Sequence, residues 1–166
     1  MKVIAPDSKT IFKAGKKSFW PWIKKTSLFL AGTIDNGNSE NWQQQVIDEL
    51  SQYDYPELTI YNPRRAHWSK NSSSAEMEKQ ISWEQEHLKA CDTIIMVLKD
   101  DSKSPISLME LGQFCDKKQM LVFCTEKFYR FDNVKFICEA NSSNISLFKT
   151  TDIKDVIDIM LNFAIL

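Results

Sequence analysis

The chain has no run of about 18 consecutive apolar residues, so no segment reads as a membrane span. Its first residues, MKVIAPDSK, lack the apolar stretch of a secretory leader, and none is expected. Histidine is scarce: His67 and His87 are the whole supply, which excludes a histidine-rich metal site. His87 and Cys91 lie four apart, but without a third ligand nearby no metal is expected. None of the four cysteines (Cys91, Cys115, Cys124, Cys138) forms a C-x-x-C pair. Three of them sit in apolar runs and read as reduced core residues of a cytoplasmic protein. With four glycines there is no G-x-G-x-x-G and no Walker loop, so those nucleotide fingerprints are absent. No Ser-His-Asp set and no internal repeat stand out. A net charge of -1 removes any global pull toward nucleic acid.

What is present is ordinary globular material. At 166 residues, with 43% apolar and 26% charged residues, the chain has enough apolar mass for one cored domain. Residues 1–26 stand apart: they carry seven lysines and one aspartate, together with Phe19, Trp20 and Trp22. This stretch is expected to be an arm or hairpin with a solvated lysine face, its aromatic residues packed on a main domain spanning 27–166.

From Ser27 onward the pattern is regular. SLFLAG, LTIYNP, DTIIMVL, MLVFC and ISLFK read as strands. Helices are expected from Ser39 (with Trp42, Val46, Ile47 and Leu50 on one face), over 75–90, over 107–118 and over 152–163. The segment TEKFYRFDNVKFICEANSSN reads as irregular or mixed. Strands that are apolar on both faces and alternate with helices imply a parallel sheet covered on both sides. The expected fold is α/β: a flavodoxin-like (Rossmann-type) three-layer sandwich with five parallel strands in the order 2-1-3-4-5, plus the N-terminal arm. Ligands of such sheets bind beyond the carboxyl ends of the strands at the switch point. This directs attention to the loops after Gly32, Asn62 and Leu98.

Several residues in and around those loops carry chemistry. Gly32 and Gly37 permit close backbone approach in AGTIDNGN, although an ordinary turn explains them equally. In the second helix, Met77, Ile81, Leu88 and Cys91 form a stripe with Glu84 in its middle, and a carboxyl on an apolar face needs a partner or a task. Ser107 and Glu110 fit an S-x-x-E capping box. The functional alternative puts Glu110 in the first helical turn, ionised by the helix dipole and apt as a nucleophile. Arg64 and Arg65, followed by His67 and Trp68, offer an anion clamp and a stacking ring, or else a surface ion-pair loop.

FLAGTI, NPRR, ISWEQEHLKACDTIIMVL and SPISLMELG, in this order and spacing over about residues 27–125, resemble the nucleoside 2-deoxyribosyltransferase family and its nucleotide N-glycosidase relatives. The match is nearest to the 2-deoxyribosyltransferase-like branch. The resemblance implies that Glu110, in MELG, is the nucleophile on the anomeric carbon. It implies that Glu84, eight positions before Asp92, is the acid, where members usually carry aspartate. Ser104 takes the place of a residue touching sugar hydroxyls or the 5′ group, and Gly32, Thr33, Ile34, Asp35 and Gly37 form the loop around the 5′ side. Asn62, Arg64, Arg65 and Trp68 complete the expected substrate contacts. Two departures stand out: Phe29 replaces a tyrosine that orients the glutamate, and Asp35 stands where the nucleotide glycosidases have a phosphate-binding arginine. A carboxylate there favours a free nucleoside.

The expected activity is transfer of a 2-deoxyribosyl group from a 2′-deoxynucleoside to another nucleobase. The alternatives are an N-glycosidase and a non-catalytic module binding a nucleotide derivative. The expected partners are the nucleoside or nucleotide and the base, with no metal or organic cofactor. The resemblance implies a homo-oligomer, dimer or larger, because family sites are often completed by a neighbouring subunit; Tyr129, Arg130 and Asn133 are candidates for that role.

Overall fold

The computed structural model describes residues 1–6, 10–12, 26–55, 57–65 and 73–163. Its elements are β1 (Lys2–Ile4), β2 (Ile11–Phe12), β3 (Thr26–Gly32), α1 (Trp42–Leu50), β4 (Leu58–Tyr61), α2 (Ser74–Ala90), β5 (Thr93–Leu98), α3 (Pro105–Phe114), β6 (Gln119–Cys124), α4 (Phe131–Ala140), β7 (Ile145–Phe148) and α5 (Ile153–Phe163). Side chains alternate across a strand, so every apolar strand feeds two cores. Leu28 and Leu30 of β3 face a core with Trp42, Val46 and Ile47 of α1 and Val156 and Met160 of α5. Phe29 and Ala31 face the opposite core, with Leu88 of α2, Leu111 and Phe114 of α3 and Val134 of α4. This is the expected three-layer sandwich. Full burial of each such Leu, Ile or Phe contributes about 1.5–3 kcal/mol before conformational entropy is set against it.

The sheet order is β2-β1-β4-β3-β5-β6-β7. The run β4-β3-β5-β6-β7 reproduces the expected 2-1-3-4-5 order, and every pair in it is parallel. The count of five parallel strands is one short. β1 pairs parallel with β4, Val3 opposite Ile60, and β2 closes that edge antiparallel. A three-residue strand is too short for its alternation to be read from sequence. Phe19, Trp20 and Trp22 lie outside the described residues.

Helix boundaries shifted for identifiable reasons. α1 begins at Trp42 rather than Ser39, because Asn41 Oδ1 accepts from Gln44 N at 3.2 Å and caps the helix. α2 carries a reciprocal capping box between Ser73 and Glu76. α3 begins at Pro105, not Ser107, with proline in the first turn, where its fixed φ suits a helix and its missing N–H costs nothing. The Ser107/Glu110 capping box is therefore not formed: both residues lie within the helix and are buried. The segment read as irregular contains α4, whose Phe131, Val134 and Cys138 are buried. Among the described residues no helix is long and apolar enough to cross a membrane.

Candidate active site

The carboxyl ends of β3 and β5 open into a cleft of about 300 Å³ at the switch point of the sheet. β3 supplies its floor with Phe29, Ala31 and Gly32, and the following loop adds Ile34, Asp35 and Asn36. α2 supplies Met77, Gln80, Ile81 and Glu84; α3 and its leading turn supply Ser104, Pro105, Ile106, Ser107 and Glu110. The stripe expected on α2 divides in two. Leu88 and Cys91 are core residues, whereas Met77 and Ile81, half exposed, border the cleft.

The backbone here is under strain. Asp35, Asn36 and Ser104 are the non-glycine residues with positive φ among those described, at 48°, 53° and 42°, and all three line the cleft. Left-handed backbone costs about 1–2 kcal/mol at such residues, and it persists where surrounding contacts enforce it. Gly32, at φ 129°, abuts the strand beside it: a Cβ there would lie 2.2 Å from Val97 O. The turn that follows is held by Trp42, whose indole N–H donates to Thr33 O at 3.0 Å.

A chain of hydroxyls explains much of that enforcement. Ser102 Oγ donates to Asp35 Oδ1 (2.8 Å), so its single hydrogen is committed. Ser104 Oγ, 3.0 Å from Ser102 Oγ, must then be the donor of that bond, and Thr33 Oγ1, 2.7 Å from Ser104 Oγ, the donor of the next. Lys99 N–H donates to Thr33 Oγ1 at 3.0 Å and closes the upstream end. Hydrogen counting thus fixes one direction, from Lys99 through Thr33, Ser104 and Ser102 to Asp35. Ser104, on the cleft wall, has no hydrogen left to give and can only accept from a ligand.

The two acids differ in their surroundings. Glu84 Oε1 accepts from Gln80 Nε2 at 2.5 Å. Burial pushes its pKa up, opposed by the Gln80 hydrogen bond and the charge of Arg65. Glu110 is 6% exposed and has no hydrogen-bond partner among the described residues. Burial first, and the neighbouring Glu84 charge second, push it up to about 8. The expected ionisation of Glu110 by a helix terminus is therefore corrected. Glu110 lies in the second turn of α3, beyond the strongest reach of the dipole, and desolvation dominates. Burial thus raises both carboxyls, and Gln80 and Arg65 oppose the rise at Glu84 alone.

Gly37, Asn62, Arg64 and Arg65 do not line the cleft. Arg64 gives its guanidinium to Gly37 O (2.9 Å), Ser39 O (2.7 Å), Glu40 O (3.1 Å) and Ser39 Oγ (3.3 Å), so it braces the first loop and is not aimed at an anion. Asn62 Oδ1 accepts from Arg64 N (3.0 Å) and shapes that turn. Arg65 holds Gln80 Oε1 (2.6 Å) and Glu76 O (2.9 Å). Gly37 belongs to the braced loop, and Trp68 and His67 lie outside the described residues. The sequence reading missed Gln80 and Ser102. Gln80 was within reach of it, one helical turn before Glu84; Ser102 carries no local signal.

A parallel sheet covered by helices on both faces, with two carboxyl groups lining its switch-point cleft, defines a class: an α/β protein of the doubly wound type. Comparison makes the class specific. The family model described as nucleoside 2-deoxyribosyltransferase like matches residues 25–128, and the chain belongs to that family. Among solved structures it is similar to a conserved protein from Enterococcus faecalis V583 (13% identity, TM-score 0.61, covering 84% of this chain and 99% of that one). It is also similar to a 2-deoxyribosyltransferase from Bacillus psychrosaccharolyticus (18% identity, TM-score 0.54, covering 80% and 90%). At these identities the likeness establishes the fold. A search of curated proteins gives no match.

Proposed function

We propose that the protein transfers the 2-deoxyribosyl group of a free 2′-deoxynucleoside to a second nucleobase. The carrying observation is that Glu84 and Glu110, from different helices, line one cleft, where burial raises the pKa of both. Retaining glycosyl transfer uses two such carboxyl groups: one ionised to attack and one protonated to assist the leaving group. In the reactive form Glu84, against the docked base, carries the proton and Glu110 is ionised. Glu110 attacks C1′, the C1′–N bond breaks, and its electron pair stays on the base nitrogen, which takes the proton from Glu84. The incoming base then attacks C1′, returns its proton to Glu84 and releases Glu110.

The lining of the cleft supports the unphosphorylated substrate. Asp35, Glu84 and Glu110 are acidic, and no Lys, Arg or His side chain lines the cleft among the described residues. Arg64 is committed to its loop, and Lys99 Nζ to Thr151 O (3.0 Å) and Glu40 (2.9 Å). Ser104, restricted to accepting, suits a sugar hydroxyl and not a phosphate oxygen. The buried thiols Cys91, Cys124 and Cys138 support a reducing, cytoplasmic setting. Exposed Met109 on α3, Tyr129 in the loop between β6 and α4, and Phe136 on α4 support a homo-oligomer.

The test is exchange of deoxyinosine with free adenine, followed by chromatography, with intact-mass detection of a deoxyribosyl adduct on Glu110. Formation of deoxyadenosine, abolished by Glu110→Gln, is the expected result. Release of hypoxanthine without adenine incorporation makes the protein a hydrolase, and tight binding without turnover makes it a binding module. Either outcome overturns the transfer reading.

A further inference from the structure

α2 presents two polar side chains to the cleft one turn apart, Gln80 and Glu84. Gln80 is 5% exposed, and both ends of its amide are occupied. Its Oε1 accepts from Arg65 Nε at 2.6 Å; its Nε2 donates to Pro63 O at 3.0 Å and to Glu84 Oε1 at 2.5 Å. Amide orientation is often ambiguous, but here the partners fix it. A guanidinium N–H can only donate, and a proline carbonyl can only accept, so nitrogen must face Pro63 and Glu84. Arg65 is itself tied to Glu76 O in the first turn of the same helix. Charged donor, amide and carboxyl therefore form a line running from the loop after β4 to the cleft.

We propose that Gln80 is a positioning residue for Glu84: held from behind by Arg65, its amide occupies Glu84 Oε1 and leaves Oε2 to carry the proton exchanged with the leaving and incoming bases. A carboxyl group has two oxygens and free rotation at its end. An acid that must meet a ring nitrogen in one direction gains from having one oxygen assigned elsewhere. The Gln80 N–H also favours ionised Glu84, which eases release of its proton to the departing base. Of the other charged groups, Glu110 from α3 and Asp35 from the loop after β3 line the same cleft, and Arg65 comes from the loop after β4. Arg65 assists ionisation of Glu84, and the Glu84 charge in turn raises the pKa of Glu110.

This inference rests on the transfer reading for its catalytic part, so the experiment separates the two. The carboxyl carbons of Glu84 and Glu110 are titrated by 13C NMR in the full chain, for wild type, Gln80→Met and Arg65→Met, with thermal melts as a check on folding. Losing a hydrogen bond to a charged group is expected to raise the Glu84 midpoint by about one pH unit or more in Gln80→Met. A rise is expected in Arg65→Met as well, because the amide is no longer held. In the exchange assay Gln80→Met is expected to lower kcat about tenfold or more with KM within threefold. The limb of the kcat–pH profile that reports Glu84 should move upward with the NMR midpoint.

A Glu84 midpoint unchanged in folded Gln80→Met overturns the proposal, as does a shifted midpoint with unchanged kcat. A purely structural role predicts a lower melting temperature with neither change. If Gln80→Met does not fold, Arg65→Met decides by the same criteria. If wild type shows no exchange, the transfer reading falls, while the titration still decides whether Gln80 sets the state of Glu84.

Discussion

Replacing Glu110 by glutamine should stabilise the protein, and by an amount that depends on pH. Glutamine is nearly isosteric with a protonated glutamate, so no cavity forms. Moving a carboxyl from 4.5 in the unfolded chain to about 8 in the fold costs about 5 kcal/mol of stability once both states are ionised, at about 1.4 kcal/mol per pH unit. The group is nearly enclosed, at 6% exposure, so solvent screening does not erase the cost. Below pH 4.5 the folded and unfolded chains both hold the proton and Glu110 contributes nothing. Between 4.5 and about 8 the unfolded chain releases the proton and the folded chain keeps it, so stability falls as pH rises. Above about 8 the full cost is present and constant. The difference in melting temperature between Glu110→Gln and wild type, measured by scanning calorimetry at pH 4, 6 and 8.5, should therefore grow from near zero to about 10 °C for a chain of this size. A difference that stays flat across that range refutes the account of Glu110 as a buried carboxyl without a hydrogen-bond partner, whatever its activity.

Phe29→Tyr adds a hydroxyl on the cleft floor, and a donor near Glu110 should lower its carboxyl titration by about one pH unit, read by 13C NMR. Ser102→Ala removes the group that takes the Ser104 hydrogen, so Ser104 becomes able to donate. The kcat/KM of a 5′-monophosphate relative to its nucleoside should then rise by about 3- to 10-fold in the exchange assay. Gly32→Ala places a methyl group against the Val97 carbonyl in a backbone conformation that L side chains avoid. A loss of about 3 kcal/mol or more is expected in urea unfolding.

The architecture was legible because its signals are local. Continuous apolar strands such as Thr93–Leu98, bounded by helices with an apolar face, specify a doubly covered parallel sheet, and connection rules then leave few strand orders. What escaped was either too short or masked by a competing signal. β1 has three residues. α4 was hidden among charged and turn-forming residues, although Phe131, Val134 and Cys138 have helical spacing. At α3 the S-x-x-E pattern suggested a start two residues late, and Pro105, preset for a first turn, determined the outcome.

The site divides along a similar line. That Glu84 and Glu110 come to one cleft was legible from spacing and resemblance, but the shift in their pKa was not, because desolvation is set by residues distant in sequence. Phe29, Ile34 and Ile81 come from three different elements to dry the cleft that Glu110 enters. Nor does an arginine's sequence position say where its guanidinium points: Arg64 and Arg65 are adjacent, yet one braces the first loop and the other fixes an amide behind Glu84. The physical consequence joins these observations. Under the proposed transfer, proton uptake by Glu84 favours ionised Glu110, because the Glu84 charge is one of the two causes that raise the Glu110 pKa. Weakening the Arg65–Gln80 line should therefore leave Glu110 no worse a nucleophile, and the loss in kcat should come from Glu84 alone, as a weaker and less directed acid at the leaving base.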